Sequence, residues 1–143
     1  MNLSVNKIIN LIGEDRNCSI IDGEAKGDTV RLEKNSTIFD GFTVIHGSYY
    51  GIHLISSSSS IINNCISHSN EIGIYLAESN LNVISNCSVY NNSWIGIGVF
   101  NYSANNLIFH NNILYNTINA QDTSNNTWDN GFPSGGNYWD DYT

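Results

Sequence analysis

The sequence is short of positive charge. It has five Lys or Arg residues against 13 Asp or Glu residues, which gives a formal net charge of −8 over 143 residues. The basic residues all lie within the first 34 positions, at Lys7, Arg16, Lys26, Arg31 and Lys34. Nucleic-acid binding needs basic side chains against the phosphates, so this composition argues against a nucleic-acid partner. An anionic polysaccharide would meet the same repulsion, whereas a neutral glycan or a cation would not.

Long apolar runs are also missing. No stretch approaches the roughly 20 apolar residues of a membrane-spanning helix, and the opening segment MNLSVNKIINLIG lacks the apolar region of a signal peptide. Helical periodicity is missing too, and the abundance of Asn, Ser, Thr and Gly disfavours helices. We therefore predict no membrane span and an all-β fold.

The sequence contains a repeat instead. One motif with two apolar positions recurs at spacings of 22, 23 and 24 residues, starting at Phe39, Ile61, Ile84 and Ile108. A companion motif with period-two alternation starts at Val30, Ile52, Ile74 and Ile97. Short strands at such a period predict a right-handed parallel β-helix of about five to six coils, which bury their apolar sides only by stacking.

The repeat divides one domain, residues 1–143, into three parts. Residues 1–23 are predicted to form an N-terminal coil, residues 24–116 the regular coils, and residues 117–143 a C-terminal cap. The tail NTWDNGFPSGGNYWDDYT holds the single proline and two of the three tryptophans. We expect Trp128 and Trp139 to cover the last exposed strands. The tail carboxylates of Asp129, Asp140 and Asp141 are candidate calcium ligands.

Stacked coils should align equivalent side chains in ladders. Three inward ladders are predicted: Phe39, Ile61, Ile84 and Ile108; Val44, Ile66, Val89 and Ile113; and Val30, Ile52, Ile74 and Ile97. A corner column is predicted at Phe42, Asn64, Cys87 and Asn111, where both asparagines point inward and satisfy backbone groups. The serine run at 56–60 is predicted to form a corner.

The cysteines Cys18, Cys65 and Cys87 are odd in number, which argues against a complete disulfide framework. Three interpretations stay open: small core or turn residues, a Cys65–Cys87 bridge between neighbouring coils, and a soft-metal site.

Two pairs of residues suggest metal or acid chemistry. His46 and His68 are 22 residues apart, so we expect them in one column about 5 Å apart, where they could hold copper or zinc. Asp22 and Asp40 both precede Gly. If they stack, their carboxylates suit a shared cation or the acid and nucleophile of a retaining glycosidase. Exposed turns are the alternative interpretation of both pairs.

Aromatic residues among Asn and Ser suggest sugar binding. Tyr75, Tyr90, Trp94 and Tyr115 are the candidates, since exposed rings beside neutral hydrogen-bonding groups suit a sugar. Packing within loops is the alternative. His53, between Arg31 and Tyr75 in the alignment of coils, is expected to face solvent.

The segments VNKIINLIGEDRNCSIIDG, TIFDGFTV and the tail resemble the NosD-like family of right-handed parallel β-helix proteins. That family is related to pectin-lyase-like domains that bind or hydrolyse carbohydrates and is common among archaeal surface proteins. The resemblance implies an exported protein, located outside the cell or on its surface. Family members named for copper delivery to nitrous oxide reductase imply a metal hypothesis.

Together these features favour a non-catalytic β-helix module that contributes structure or binds neutral carbohydrate. The expected partners are glycans or other surface-protein domains, and end-to-end self-association of coils is a further expectation. Copper handling is the alternative, and a polysaccharide lyase or glycoside hydrolase is the second alternative. The sequence shows no cluster of three acids with a basic partner that would support catalysis.

Overall fold

The computed structural model describes residues 2–140, and within them the chain forms seventeen short β-strands. Their bounds, in chain order, are β1 Leu3–Val5, β2 Asn10–Ile12, β3 Ile20–Asp22, β4 Val30–Leu32, β5 Ile38–Asp40, β6 Thr43–Ile45, β7 Tyr50–Ile55, β8 Ile61–Asn63, β9 Ile66–His68, β10 Ile72–Ala77, β11 Val83–Ser85, β12 Ser88–Tyr90, β13 Ile95–Phe100, β14 Leu107–Phe109, β15 Asn112–Leu114, β16 Ile118–Asp122 and β17 Tyr138–Trp139. No helix in the described part of the chain has the length and apolar character needed to cross a bilayer.

The strands form three parallel sheets that run along the solenoid. Sheet A has the order β1-β4-β7-β10-β13-β16, sheet B the order β2-β5-β8-β11-β14, and sheet C the order β3-β6-β9-β12-β15-β17. Each coil therefore contributes a strand to one sheet after another before the chain returns to the first. The predicted parallel β-helix is confirmed.

The core lies between the three sheets. The ladder of sheet A is the predicted one, because Val30, Ile52, Ile74 and Ile97 are register partners and are fully buried. The other two predicted ladders are wrong at one coil. Phe39 pairs with Ile62 rather than Ile61, and Val44 pairs with Ser67 rather than Ile66.

One extra residue in the serine corner causes both errors. Sheet A keeps a spacing of 22 between Leu32 and Leu54, whereas sheet B has 23 between Ile38 and Ile61. A shift of one residue reverses the face that each side chain takes, so Ile61 is outward and 37% exposed. The corner column changes in the same way: Asn64 is exposed with φ of 50°, whereas Asn111 is buried as predicted.

Buried amides connect the coils at their corners. Asn111 Oδ1 accepts from Cys87 N at 2.9 Å, and Asn111 Nδ2 donates to Ile84 O at 3.0 Å. Similar stacks run through Asn70, Asn92 and Asn116, and through Asn82, Asn106 and Asn126. Each amide thereby satisfies backbone groups that the corner turns away from the sheets.

The two ends of the solenoid differ. At the C-terminal end β17 pairs with β15, and Trp128 and Trp139 pack against the core with ring centroids 5.8 Å apart. At the N-terminal end the edges of β1, β2 and β3 are unpaired among the described residues, and Ile8 and Ile12 are 72% and 62% exposed.

Candidate functional site

A row of aromatic rings lies on the outer face of sheet A. Tyr50, Tyr75 and Phe100 come from three neighbouring coils, on β7, β10 and β13. The Tyr50 and Tyr75 rings stack with centroids 4.4 Å apart and planes 6° apart, and the Phe100 ring lies 5.6 Å beyond Tyr75. The three residues are not register partners, since Tyr50 is opposite Ile72 and Phe100 is opposite Ala77, so the row runs obliquely across three neighbouring strands.

The rings form one wall of a groove of about 320 Å³. Trp94, which is 47% exposed, lines the same groove, and Ile72 and Ile95 complete its lining. Both isoleucines are buried although they lie outside the inner core cluster. We call Tyr50, Ile72, Tyr75, Trp94, Ile95 and Phe100 the aromatic groove. These residues are uncharged.

A glycine permits this packing. Gly98 is the register partner of Tyr75, and a Cβ there would lie 2.8 Å from Phe100 Cε2 and 3.4 Å from Tyr75 Cδ2. The absence of a side chain therefore leaves room for the two rings to converge over β13. A larger residue would force the Phe100 ring to move.

A buried histidine lies beneath the rings. His53 is 9% exposed, which corrects the expectation that it faces solvent. It points outward between Arg31 and Tyr75, but its ring packs edge-on against Tyr50 and Tyr75, with centroids 4.5 and 5.1 Å away. His53 Nδ1 lies 2.8 Å from Asp28 Oδ2, and its buried Nε2 has no hydrogen-bond partner among the described residues.

The phenols of the groove stay protonated at neutral pH. Burial is the main cause that raises the pKa of Tyr50, with smaller contributions from Tyr75 and Asp28. Burial also raises the pKa of Tyr75, although a hydrogen bond from Asn101 opposes it. Asn101 Nδ2 donates to the Tyr75 hydroxyl at 3.3 Å. A phenol with a raised pKa is a neutral hydrogen-bonding group and a poor base.

The nearest guanidinium is already paired. Arg31 Nε lies 3.0 Å from Glu33 Oε1 and 4.0 Å from Asp28 Oδ2. Asp28 therefore lies between Arg31 and His53, and its side chain is only 11% exposed. With Arg31 held by these carboxylates, the groove has little capacity to attract a uronate or another anionic sugar.

The predicted aromatic residues divide between surfaces. Tyr75 and Trp94 meet in the groove, whereas Tyr90 lies on sheet C and stacks on His68 with centroids 4.9 Å apart. Tyr115 follows β15 and is 69% exposed. Tyr50 and Phe100 are the groove aromatics that the sequence did not single out. A signal existed, since positions 50, 75 and 100 are equally spaced at slightly more than one coil.

The predicted acid and histidine pairs do not form as expected. Asp40 lies in sheet B beside Asn63, whereas Asp22 lies in sheet C beside Ile45, so the two carboxylates do not stack. His68 is the register partner of Ile45 and thus stands one position away from the column of His46. The extra residue of the serine corner shifts only the histidine alignment. Asp22 and Asp40 precede that corner and fail to stack because they lie in different sheets.

The structure brings Asp22 and His46 together instead. His46 Nδ1 lies 3.1 Å from Asp22 Oδ1, and both side chains are about half exposed. The pKa of Asp22 is lowered first by the Glu24 backbone N–H and then by His46. His68 Nδ1 lies 2.9 Å from Ser69 Oγ.

These donors do not make a metal site by themselves. In residues 2–140 no three His, Cys, Asp or Glu side chains lie close enough to hold one ion. Copper and zinc sites in proteins usually take three or four such ligands. A family-implied copper ion therefore does not fit the donor set that the structure describes.

The tail carboxylates of Asp140 and Asp129 accept hydrogen bonds from backbone N–H groups. Asp140 accepts from Asn119 Nδ2 at 2.7 Å and from Tyr115 N at 2.9 Å, and these bonds lower its pKa, the Asn119 bond most. Asp129 accepts from Gly131 N within a turn. Asp141, the third predicted calcium ligand, lies outside the described residues.

Comparison with known proteins identifies a family. Residues 9–143 match the family model described as periplasmic copper-binding protein (NosD). No curated protein matches the chain. Among solved structures, the crystal structure of an alginate lyase from Paenibacillus sp. str. FPU-7 is similar, with a TM-score of 0.48 and 14% identity over 74% of this chain. The match covers 45% of the lyase chain.

Proposed function

This chain belongs to the NosD family, and on that premise we propose that it is a non-catalytic β-helix module of an exported or cell-surface protein that binds neutral carbohydrate in the aromatic groove. The family's description as periplasmic supports export. The aromatic groove supports the ligand class.

The observation that carries this proposal is the uncharged aromatic lining of the groove on an acidic protein. Apolar faces of sugar rings pack on aromatic side chains, while sugar hydroxyls need neutral hydrogen-bonding groups nearby. The Tyr75 hydroxyl and the Asn101 amide supply such groups at the rim. Since the row of rings crosses three coils, an oligosaccharide lying along the row would contact more rings than a single sugar would.

Three features support binding without catalysis. The raised pKa values of Tyr50 and Tyr75 make both phenols poor bases at neutral pH. His53 Nε2 is buried beneath the rings and is not accessible to a substrate in this conformation. Asp22 and Asp40 lie in different sheets, so they do not form the closely spaced carboxylate pair of a retaining glycosidase.

The proposal is tested by titrating the protein with neutral oligosaccharides of increasing length. Binding is measured by calorimetry and by tryptophan fluorescence. We expect affinity to rise with length and to be nearly independent of salt. Tyr75→Ala should weaken binding about 2- to 12-fold, because one aromatic contact contributes about 0.5–1.5 kcal/mol. Trp94→Ala should weaken binding similarly.

Tyr90→Ala and Tyr115→Ala are the matched controls, since both remove an aromatic ring from a surface outside the groove. Neither control should change affinity. Lack of saturable binding to any neutral glycan would contradict the proposal, and so would a control variant that weakens binding as much as Tyr75→Ala does.

Copper handling is the second candidate, because the family description names copper. Asp22 and His46 are adjacent at the surface but supply only two of the three or four ligands that such a site usually takes. Titration with Cu(II), with His46→Ala and His68→Ala beside the unmodified chain, separates the two functions. Stoichiometric tight binding that is lost with His46→Ala would favour copper handling. Weak binding that neither substitution changes would remove it.

A further inference from the structure

Cys65 and Cys87 occupy the same corner on neighbouring coils. The residues that follow them, Ile66 and Ser88, are register partners, and Ser88 N donates to Cys65 O at 2.9 Å. Parallel neighbours lie about 4.8 Å apart, which is within the about 4.4–6.8 Å between Cα atoms that a disulfide can span. Both cysteines are buried and have free thiols.

The next coils hold asparagine at this corner, and the comparison shows what the thiols lack. Asn111 Nδ2 donates to Ile84 O at 3.0 Å, whereas Cys87 Sγ lies 3.9 Å from the equivalent acceptor, Ile62 O. Thiols are weak hydrogen-bond donors. Cys87 Sγ and Cys65 Sγ also lie 3.2 and 3.1 Å from Ser85 O and Asn63 O. The amide of Asn111 differs from the thiols in that it reaches the carbonyl of the preceding coil more closely.

The two thiols differ in acidity. Their mutual hydrogen bond lowers the pKa of Cys65, and the backbone N–H groups of Phe42 and Gly41 lower it further. Burial, followed by the same hydrogen bond, raises the pKa of Cys87. The thiolate is the nucleophile in disulfide exchange, so Cys65 is the attacking residue of the pair.

We propose that Cys65 and Cys87 are a dithiol–disulfide couple that links two neighbouring coils of the solenoid. The oxidant is a disulfide, either a small molecule such as oxidised glutathione or a thiol oxidoreductase. The Cys65 thiolate attacks one sulfur of that disulfide and releases the other as a thiolate. The Cys87 thiolate then attacks Cys65 Sγ in the mixed disulfide and releases the second thiolate. The pair loses two protons and two electrons, and the oxidant becomes two thiols.

The bond would close one full turn of the chain, since the cysteines are 22 residues apart. It would join the coil that carries Tyr50 and His53 to the coil that carries Tyr75. Burial of both thiols means that the exchange occurs during folding or through local opening of the corner. The inference does not depend on the carbohydrate proposal.

The test uses the full chain with Cys18→Ser, which removes the exposed thiol. The protein is refolded and equilibrated in glutathione buffers of graded potential, quenched in acid, unfolded and treated with iodoacetamide. Intact mass spectrometry should show both thiols lost together in a single two-electron transition, with the mass lower by two hydrogens and no glutathione adduct. Proteolysis should yield the peptides of Cys65 and Cys87 linked.

Oxidation should leave the far-ultraviolet spectrum unchanged and raise the denaturant midpoint, because the crosslink restricts the unfolded chain. Two alkylatable thiols after oxidative refolding, a stable glutathione adduct on one thiol, or loss of β-structure on oxidation would each overturn the proposal. Cys18→Ser combined with Cys87→Asn is the matched control, since Asn occupies this corner at Asn111. It should fold and show no midpoint change with oxidant.

Discussion

The amide of Asn106 provides the sharpest test of the corner stacks. Asn106 is buried, and its Oδ1 accepts from Asn82 N at 2.9 Å and from Asn82 Nδ2 at 3.0 Å. Its Nδ2 donates to Ser79 O at 3.0 Å and to Asn126 Oδ1 at 2.8 Å. One side chain therefore connects three coils, and its replacement by Leu removes all of these bonds while keeping a similar volume.

The cost of Asn106→Leu follows from the groups that it leaves without partners. The Asn82 N–H and the Ser79 C=O would remain buried, at about 1–3 kcal/mol each, so we expect the free energy of unfolding to fall by about 4 kcal/mol. That is a large part of the about 5–15 kcal/mol of a typical domain. At an ordinary urea dependence of about 2 kcal/mol per molar, the midpoint should fall by about 2 M.

Urea unfolding followed by circular dichroism, with Asn112→Leu as the control, measures this cost. Asn112 is an exposed strand residue, so its replacement should change the free energy by less than about 0.5 kcal/mol. Asn106→Asp additionally tests the direction in which stability depends on pH. Burial should raise the pKa of that carboxyl above its unfolded value, so the loss of stability relative to the unmodified chain should be smaller at pH 4 than at pH 7. An equal cost for Asn106→Leu and Asn112→Leu would refute the reasoning.

Three further outcomes are expected. Ile62→Ala should cost about 2–5 kcal/mol and Ile61→Ala less than about 1 kcal/mol in urea unfolding, because of the two only Ile62 is in the core. Similar costs for both variants would contradict the register. Gly98→Val should weaken neutral-glycan binding without changing the circular dichroism, since a Cβ at Gly98 meets Phe100; unchanged affinity would argue against the groove. Because the pKa of Asp140 is lowered in the folded chain, its contribution to cap stability should be present above about pH 3.9 and lost as pH falls through the folded pKa. Hydrogen exchange of the Tyr115 amide should report that loss on acidification, and Asp140→Asn should show faster exchange already at pH 7.

The sequence was sufficient to predict the solenoid but not the register of every coil. The ladder through Val30, Ile52, Ile74 and Ile97 is correct because period-two alternation and a preceding glycine mark most of its members. Sheets B and C shift by one residue after a corner made of identical serines. Five serines give no sign of where the corner begins, and Ile61 and Ile62 are equally apolar, so spacings of 22 and 23 fit the pattern equally well.

The undetermined register between coils also explains which site residues could be predicted from the sequence. The outward position of Tyr75 follows from strand alternation alone. The convergence of Phe100 on Tyr75 depends on the missing side chain of Gly98. The equal spacing of positions 50, 75 and 100 is longer than one coil, so an alignment of coils places the three rings in different columns. The burial of His53 follows from the stacking of Tyr50 on Tyr75, because both rings cover it.

The buried pair of Asp28 and His53 beneath the groove is not expected to stabilise the fold. The inward ladders already pack sheet A against the core. His53, in contrast, leaves Nε2 without a hydrogen-bond partner among the described residues. An unsatisfied buried group costs about 1–3 kcal/mol. Replacement of both members of a buried polar pair by apolar residues is often neutral, whereas removal of one member is not. We therefore expect Asp28→Leu/His53→Leu to unfold within about 1 kcal/mol of the unmodified chain and His53→Leu alone to be less stable. If the pair orients Tyr50 and Tyr75 for a ligand, the double variant should still lose affinity for neutral glycans. A stable double variant that binds as tightly as the unmodified chain would show that the pair has no role in the groove.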